Sequence, residues 1–168
     1  EVRSSSHLMY ELAEDLRARG HAVSVVTCRP RYNLAAPSAG LAAPVAPARG
    51  VQRETLNGLE VVRVDAPAIH NVGHVRRGLG QLWLPVAFYR AARALPRPDV
   101  IYVYSPPLTL GLAAHWLGRR WRAPFVFNVQ DLFPQNAIDL GALRNPLLVA
   151  FFRAVERYIY RRAAAIAL

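Results

Sequence analysis

Two spacings of apolar residues recur along the chain, and together they predict helices that alternate with short strands. Leu8, Leu12 and Leu16 recur every four residues, which predicts a helix over 4–19 that is capped by serines and ended by Gly20. Further helices are predicted at 78–95, 105–120 and 146–162. Short apolar runs predict buried strands at 22–28, 99–104, 124–129 and 164–168. Asn57-Gly58, between the runs 51–55 and 59–64, predicts a β-hairpin.

The order of these elements predicts an α/β fold with a doubly wound, mostly parallel sheet. The 168 residues suffice for one domain with its own core. In this class of fold a strand precedes the first helix and lies at the middle of the sheet. The chain instead opens directly on a helix, and its last strand is cut short. We therefore expect a fragment truncated at both ends, with the first strand missing and its two neighbours left with unpaired edges.

Local signals refine the helices and the connections. Ser105-Pro106 and Asn145-Pro146 each combine a capping residue with a proline suited to the first helical position. Pro85 is expected to kink its helix or to mark its true first turn. The Ala- and Pro-rich stretch 30–49 is predicted to be a loop, and 66–77 to be irregular. The residues of 146–162 expected to face inward are Leu147, Leu148, Phe151, Phe152, Val155 and Ile159.

The charge of the chain limits the classes of binding partner that can be expected. The formal net charge is +10, and every basic residue is Arg. Many arginines fall at predicted helix carboxyl ends, where the helix dipole stabilises each cation by up to about 1 kcal/mol. No run interleaves basic residues with stacking aromatics on one surface, so nucleic acid is not an expected partner. Attraction to an anionic membrane surface or to a phosphate-bearing substrate remains open.

The cysteine content and the length of the apolar runs indicate the cellular compartment in which the protein is expected. Cys28 is the single cysteine, which excludes an internal disulfide and favours a reducing, cytoplasmic setting. The chain opens without a signal region, and no apolar run approaches the roughly 20 residues of a membrane-spanning helix. A peripheral contact with the inner face of the cell membrane is left open, because arginines lie close in sequence to large apolar side chains. These residues are Arg76, Arg77, Trp83, Phe88, Arg90 and Arg93.

Candidate chemistry collects where the predicted strands end, because parallel strands bring their carboxyl ends to one edge of the sheet. Gln130-Asp131 ends the apolar run 124–129 abruptly, which makes Asp131 the candidate catalytic residue. Its carboxylate can accept hydrogen bonds from a sugar hydroxyl or an alcohol; the alternative is that it only caps the next turn. Arginines and helix amino termini at the same edge would bind phosphate oxygens. The other side chains expected there are Arg3, Ser4, Ser5, Arg29, Arg31, Tyr32, Ser105 and Gln130.

Metal and nucleophile chemistry are not expected. His70 and His74 have metal-ligand spacing, but Asn71-Val72-Gly73 between them opposes a helix and no further ligands cluster nearby. Gly78-Leu79-Gly80 lacks the preceding strand and the third glycine of a dinucleotide fingerprint. Cys28 is expected to be an inert thiol. His115 lies in a nearly all-apolar helix and is expected to be a packed core residue.

Several stretches carry a more specific likeness. They are 12–27 (LAEDLRARGHAVSVVT), Pro30 and Tyr32, 98–101 (PDVI), 105–108 (SPPL), 129–134 (VQDLFP) and 140–141 (LG). These stretches resemble the amino-terminal domain of family 4 retaining glycosyltransferases, which have a GT-B architecture of two Rossmann-like domains. The closest likeness is to the branch that assembles O-antigen, capsule and colanic acid, whose members are described as fucosamine-transferase-like.

The resemblance implies that the chain shapes the acceptor side of the cleft, while an absent domain holds a nucleotide-sugar donor. It implies transfer to a lipid-linked saccharide, with no cofactor and no metal, and a fragment that is inactive alone. Asp131 and Gln130 would orient the acceptor hydroxyl, with Arg29, Arg31, Tyr32 and Ser105 also on the acceptor side. Arg3, Ser4 and Ser5 would face the donor phosphates. Many relatives have His where Gln130 stands, so the resemblance gives no protein base at that position.

Two other functions stay open on the residues alone. One is a non-catalytic Rossmann-like module that binds a nucleotide or phosphate at the carboxyl edge of its sheet. The other is a basic protein associated with nucleic acid, for which charge alone predicts only a steeply salt-sensitive association.

Overall fold

The computed structural model describes residues 4–29, 50–65 and 74–168. These residues fall into two compact units, divided between Ala66 and Pro67, and each unit is described by itself. The elements run in the order α1 (Ser4–Ala18), β1 (Ser24–Cys28), β2 (Gln52–Leu56), β3 (Leu59–Val64), α2 (His74–Ala92), β4 (Ile101–Ser105), α3 (Leu110–Trp121), β5 (Phe125–Val129), α4 (Gln135–Asp139), α5 (Pro146–Arg162) and β6 (Ala165–Ala167).

The first unit contains α1 and a three-stranded sheet in the order β1-β3-β2. β1 runs parallel to β3, whereas β2 and β3 form the predicted antiparallel hairpin. Asn57 and Gly58 both have positive φ, 50° and 81°, as the tight turn favoured by Asn-Gly requires. Ala13, Leu59 and Val61 form a small core. β1 is only half-buried, not buried as predicted, and within the described residues it pairs with β3 alone.

The second unit contains a parallel sheet in the order β4-β5-β6. β5 is central, and its residues Phe125, Phe127 and Val129 point into the main core of this unit. Ile159 of α5 packs in the same core and, like Phe127, has no exposed surface. Gly111 of α3 sits against both side chains, and an added Cβ would come within 2.5 Å of Ile159.

These units confirm the predicted fold class, an α/β fold with parallel-strand sheets of the Rossmann-like kind. The sequence predicted a single sheet, whereas the described residues form two. Within these residues β1 and β4 are each paired on one side only. The predicted loop 30–49 and the segment 66–73 lie outside the described residues.

Two helix starts differ from the prediction. α2 begins at His74, inside the segment expected to be irregular, and Pro85 lies within the helix and not in its first turn. α3 begins at Leu110 and not at Ser105, because Ser105 is the last residue of β4. Pro107 explains the delay, since a proline disfavours the helical conformation for the residue before it, here Pro106. The short helix α4 was not predicted.

The inward face predicted for α5 is partly wrong. Phe152 and Ile159 are buried, but Leu147, Leu148 and Phe151 are exposed. An α-helix turns about 100° per residue, so Leu147 and Phe151 lie roughly 120° and 80° around the helix from Ile159. Leu148 faces the same way as Ile159 but lies about three turns away along the helix. Asn145 caps α5 as predicted, and its side-chain oxygen accepts from the backbone N–H groups of Leu147 and Leu148 at 2.9 and 3.3 Å.

Candidate functional site

The carboxyl edge of the second unit's sheet is where β4 and β5 end side by side. Ser105 and Val129 are paired in register, and the N–H of Gln130 donates to the carbonyl of Ser105 at 3.1 Å. This last bond holds the chain beside β4 for one residue beyond β5. Gln130 and Asp131 therefore leave the sheet together at its carboxyl edge, as the sequence predicted.

A buried amide on β5 organises the approach to this edge. Asn128 is only 6% exposed, and its Oδ1 accepts a hydrogen bond of 2.5 Å from Nε2 of Gln130. Its Nδ2 donates to the hydroxyl of Tyr102 on β4. This bond uses one N–H of the Gln130 amide, so its carbonyl oxygen can still accept a hydrogen bond from a ligand and its second N–H can still donate one. We refer to Tyr102, Asn128 and Gln130 as the amide network.

Sequence reasoning missed two members of the amide network. Residues 124–129 were treated as an apolar run, although Asn128 interrupts it. A buried amide needs hydrogen-bond partners, so a polar residue inside an otherwise apolar central strand was a usable signal. Its partner Tyr102 could not be identified without the strand register, which brings the two side chains together across β4 and β5.

Asp131 is half-exposed. One carboxylate oxygen accepts from Nδ2 of Asn136 in α4, and its backbone carbonyl accepts from the N–H of Phe133 at 2.8 Å. Within the described residues the carboxylate takes part in no ion pair. An ionised carboxylate offers about four acceptor positions, so Asp131 keeps capacity to bind a hydroxyl.

Ser105 does not cap a helix, contrary to the prediction. It is 2% exposed at the end of β4, where its carbonyl holds Gln130. Thr109 occupies the cap position of α3 without a capping hydrogen bond. Its hydroxyl instead donates to the carbonyl of Gln81 in α2 at 2.8 Å, which ties α2 to the start of α3.

The remaining predicted site residues belong to the first unit. Arg29 follows β1, and its backbone N–H donates to the carbonyl of Val64 at 3.1 Å. Its Nη2 donates to the carbonyl of Gly50 at 3.1 Å, and its buried Nε has no partner among the described residues. Ser4 and Ser5 lie in the first turn of α1. Arg3, Arg31 and Tyr32 lie outside the described residues, and Arg29 and Asp131, in different units, are described separately.

We next consider the other titratable side chains of the described residues. Among the described residues there is no group of three or more His, Cys, Asp or Glu side chains that could hold a metal ion. His115 is a packed core residue as predicted, and its ring meets Tyr158 edge-on at 5.4 Å. Burial lowers the pKa of His115, and the positive charges of Arg162 and Arg119 lower it further. Of the helices in the described part of the chain, none is long and apolar enough to cross a membrane.

Comparison with known proteins gives one assignment. A family model described as a glycosyl transferase 4-like domain matches residues 6–168, almost the whole chain. A search of curated proteins gives no match.

Proposed function

The chain belongs to the glycosyl transferase 4-like family, and from this membership we propose that it is the acceptor-binding half of a retaining, hexosyl-type GT-B enzyme. A second domain would hold a nucleotide-sugar donor. The acceptor would be a lipid-linked saccharide in the synthesis of a cell-surface polysaccharide, in the branch that resembles fucosamine transferases. The proposed setting is cytoplasmic, with a peripheral contact at the inner face of the membrane.

One observation supports this site above the others: a fixed amide and a carboxylate stand next to each other at the carboxyl edge of β5. Hydrogen bonding to Asn128 leaves the Gln130 carbonyl oxygen available as an acceptor, and the Asp131 carboxylate has unused acceptor positions. Open α/β sheets bind their ligands at this edge. Two adjacent acceptors suit the hydroxyl groups of a saccharide, which can donate to both.

The proposed roles follow from the chemistry of each side chain. Asp131 accepts a hydrogen bond from the acceptor hydroxyl and orients it as its oxygen bonds to the sugar. The bond from the sugar to the donor phosphate breaks, and this phosphate leaves with the proton of the hydroxyl, so we propose Asp131 as the catalytic residue in the role of orienting that hydroxyl. Gln130 positions the same saccharide, and Ser105 contributes by holding the Gln130 backbone. A glutamine amide is not a base at neutral pH, so the proposal assigns no proton abstraction to Gln130.

Phosphate recognition is proposed for residues of the first unit. Arg29, Arg31 and Tyr32 would meet the anionic linkage of the acceptor, since arginine pairs well with phosphate oxygens. Arg3, Ser4 and Ser5 would face the phosphates of the donor, because helix amino termini bind anions. The nucleotide sugar is a substrate in this proposal, and neither a cofactor nor a metal is invoked.

A membrane contact is proposed for α2. Trp83 is half-exposed, and the guanidinium of Arg90 lies 5.6 Å from the centre of its ring. An aromatic ring beside a cation suits the boundary between lipid headgroups and acyl chains. Such a contact would keep the protein near a lipid-linked acceptor.

The test of the reaction is Asp131→Asn in the full-length enzyme. Asparagine preserves the size of the side chain but removes its charge. Hydrogen bonds to charged groups contribute about 1.5–3 kcal/mol, so kcat is expected to fall about 10- to 150-fold. The measurement is sugar transfer to the acceptor, with circular dichroism to verify the fold.

Asp139→Asn is the matched control, because Asp139 is an exposed carboxylate that ends α4 and accepts from Gln135 at 2.7 Å. Its kcat should equal that of the unaltered enzyme. Equal turnover in both variants would remove Asp131 from the reaction. A full-length protein that binds a nucleotide but transfers no sugar would favour the non-catalytic binding module instead.

A further inference from the structure

The outer face of α5 carries a stripe of apolar side chains that are exposed, although the ring of Tyr158 also meets that of His115 edge-on. Its members are Leu147, Phe151, Ala154 and Tyr158, which we call the α5 stripe. Their spacing of four, three and four residues places them within about 60° of one another around the helix. Leu147 is 79% exposed, Phe151 44% and Tyr158 40%.

This exposure is unusual because α5 already has a buried face. Phe152 and Ile159 pack inward against the second unit, with Phe152 meeting the ring of Phe133 edge-on at 5.0 Å. A helix on the surface of a domain normally has one apolar face and an opposite polar one. α5 has two apolar faces, so the second one requires its own explanation.

Arginines border the α5 stripe. α5 contains four of them, Arg153, Arg157, Arg161 and Arg162, against a single acid, Glu156. The guanidinium of Arg162 lies over the Tyr158 ring, 5.1 Å from its centre. Burial raises the pKa of Tyr160, and the neighbouring Glu156 carboxylate raises it further. Within the described residues no ion pair links these arginines to a carboxylate, so their positive charge is uncompensated.

A basic groove runs beside the stripe. It lies between the α4 region and α5 and has a volume of about 650 Å³. Arg144, Arg153 and Arg157 line it together with apolar side chains that include Leu143 and Val149. Nη2 of Arg153 donates to Oε1 of Gln135 at 3.2 Å, which holds this arginine at the groove. Guanidinium groups at an open groove are suited to bind phosphate oxygens.

We propose that the outer face of α5 docks on an anionic lipid surface, with the α5 stripe entering the headgroup boundary and the bordering arginines contacting lipid phosphates. An apolar face flanked by cations is the pattern of helices that lie in the plane of a membrane interface. A second copy of the chain is a poorer occupant, because the two basic surfaces would repel each other. The surface is separate from the α2 contact and does not depend on the proposed sugar transfer.

The experiment is co-sedimentation of the purified full-length protein with two kinds of vesicle. One is phosphatidylcholine alone, and the other is phosphatidylcholine containing phosphatidylglycerol. The unaltered protein should sediment with the anionic vesicles and should largely stay in solution with the neutral ones. Each arginine near an anionic surface contributes roughly a fivefold factor in binding. Arg157→Gln with Arg161→Gln should therefore weaken binding about 25-fold.

Two further variants separate charge from apolar contact. Arg157→Lys with Arg161→Lys keeps the charge and should retain binding to anionic vesicles. Leu147→Ser with Phe151→Ser should weaken it at least tenfold, because the buried apolar area is lost. All these side chains are exposed, so thermal unfolding of each variant should match that of the unaltered protein.

Matched controls are taken from residues outside α5. Arg97→Gln with Arg120→Gln makes the same change in charge at exposed positions, and Leu8→Ser with Leu56→Ser makes the same apolar change. Both should bind like the unaltered protein. The proposal is overturned if the unaltered protein ignores anionic vesicles, or if the α5 variants bind as well as these controls. It is also overturned if Leu147→Ser with Phe151→Ser dissociates a dimer in solution.

Trp83→Ala distinguishes this surface from the α2 contact. Loss of binding in Trp83→Ala, with α5 variants unaffected, would overturn the α5 proposal and leave the α2 contact standing. None of these outcomes bears on the turnover of Asp131→Asn, so the docking surface and the proposed reaction fail independently.

Discussion

His115 shows how a single side chain couples the second unit to pH. It is buried in α3, and its ring packs edge-on against Tyr158 of α5. Burial is the main cause of its lowered pKa, and the charges of Arg162 and Arg119 add to it. The folded protein therefore favours the neutral imidazole. The unfolded chain, where the pKa is near 6.5, binds the proton more readily.

This difference predicts that stability falls as the pH falls through about 6.5 and continues to fall until it passes the lower pKa of the folded state. His115→Gln removes the titrating group, so its free energy of unfolding should depend less on pH over this range. The measurement is denaturant unfolding at a series of pH values between about 7.5 and 5.

The control is His21→Gln, since His21 is an exposed histidine after α1. It should keep the pH dependence of the unaltered protein. Identical pH profiles for His115→Gln and the unaltered protein would contradict a neutral, buried His115.

At the scale of residues, the sequence located the candidate site better than it described it. Asp131 could be placed because an apolar strand ends abruptly before it, and strand ends in α/β sheets gather at one edge. The orientation of Gln130 could not be predicted, because it depends on Asn128 and, through it, on Tyr102 in a neighbouring strand. Contacts across strands follow from register, which local sequence patterns leave undetermined.

Among the elements, α3, β5 and α5 meet at Gly111. A Cβ at this position would lie 2.5 Å from Cγ2 of Ile159 and 3.0 Å from Cε2 of Phe127. Both neighbours are fully buried and have no open space into which to move. Glycine is therefore required here for the close approach of the helices and not for an unusual backbone angle.

Gly111→Ala is expected to destabilise the protein by about 1–3 kcal/mol, as overpacking of a core typically does, although alanine is the better helix former. Ile159→Ala alone should cost about 2–5 kcal/mol, because it leaves a cavity. In the double variant the new methyl group occupies part of that cavity. Its loss of stability, measured by chemical denaturation, should be smaller than the sum of the two single losses.

A strictly additive double variant would show that Gly111 and Ile159 do not share space. Ala154→Ser, on the exposed face of α5, is a small change away from this contact. It should leave stability within about 0.5 kcal/mol of the unaltered protein.

Element types were predicted more reliably than element ends or faces. The helix–strand order and the hairpin follow from apolar spacing and from Asn57-Gly58, which are local signals. The predicted start of α3 at Ser105 was wrong. The cap-plus-proline pattern there favours a helix start, but Pro107 disfavours the helical conformation of Pro106. The predicted inward face of α5 was partly wrong because Leu147 and Phe151 are apolar but exposed. Periodicity identifies apolar faces but does not tell which of them is buried in the core.

For the whole molecule, the two units differ in how their sheets are protected. In the second unit, β5 is paired on both sides, and two residues of its core, Phe127 and Ile159, have no exposed surface. In the first unit, β2 pairs only with β3 within the described residues, and four of its five residues are exposed. That the whole chain, 1–168, forms one domain stays a prediction, and so do the roles proposed for the site residues.

This contrast predicts an order of amide hydrogen exchange. Amides of β5 should open only with the core of the second unit, whereas those of β2 can open by local fraying of the hairpin. After correction for the intrinsic rate of each amide, mass spectrometry should show slower exchange in peptides that cover 125–129 than in peptides that cover 52–56. Both strands have five residues, so the comparison is matched in length. Faster exchange in β5 would mean that its burial and two-sided pairing do not govern protection, and the core at Phe127 and Ile159 would then not be the most stable part of the chain.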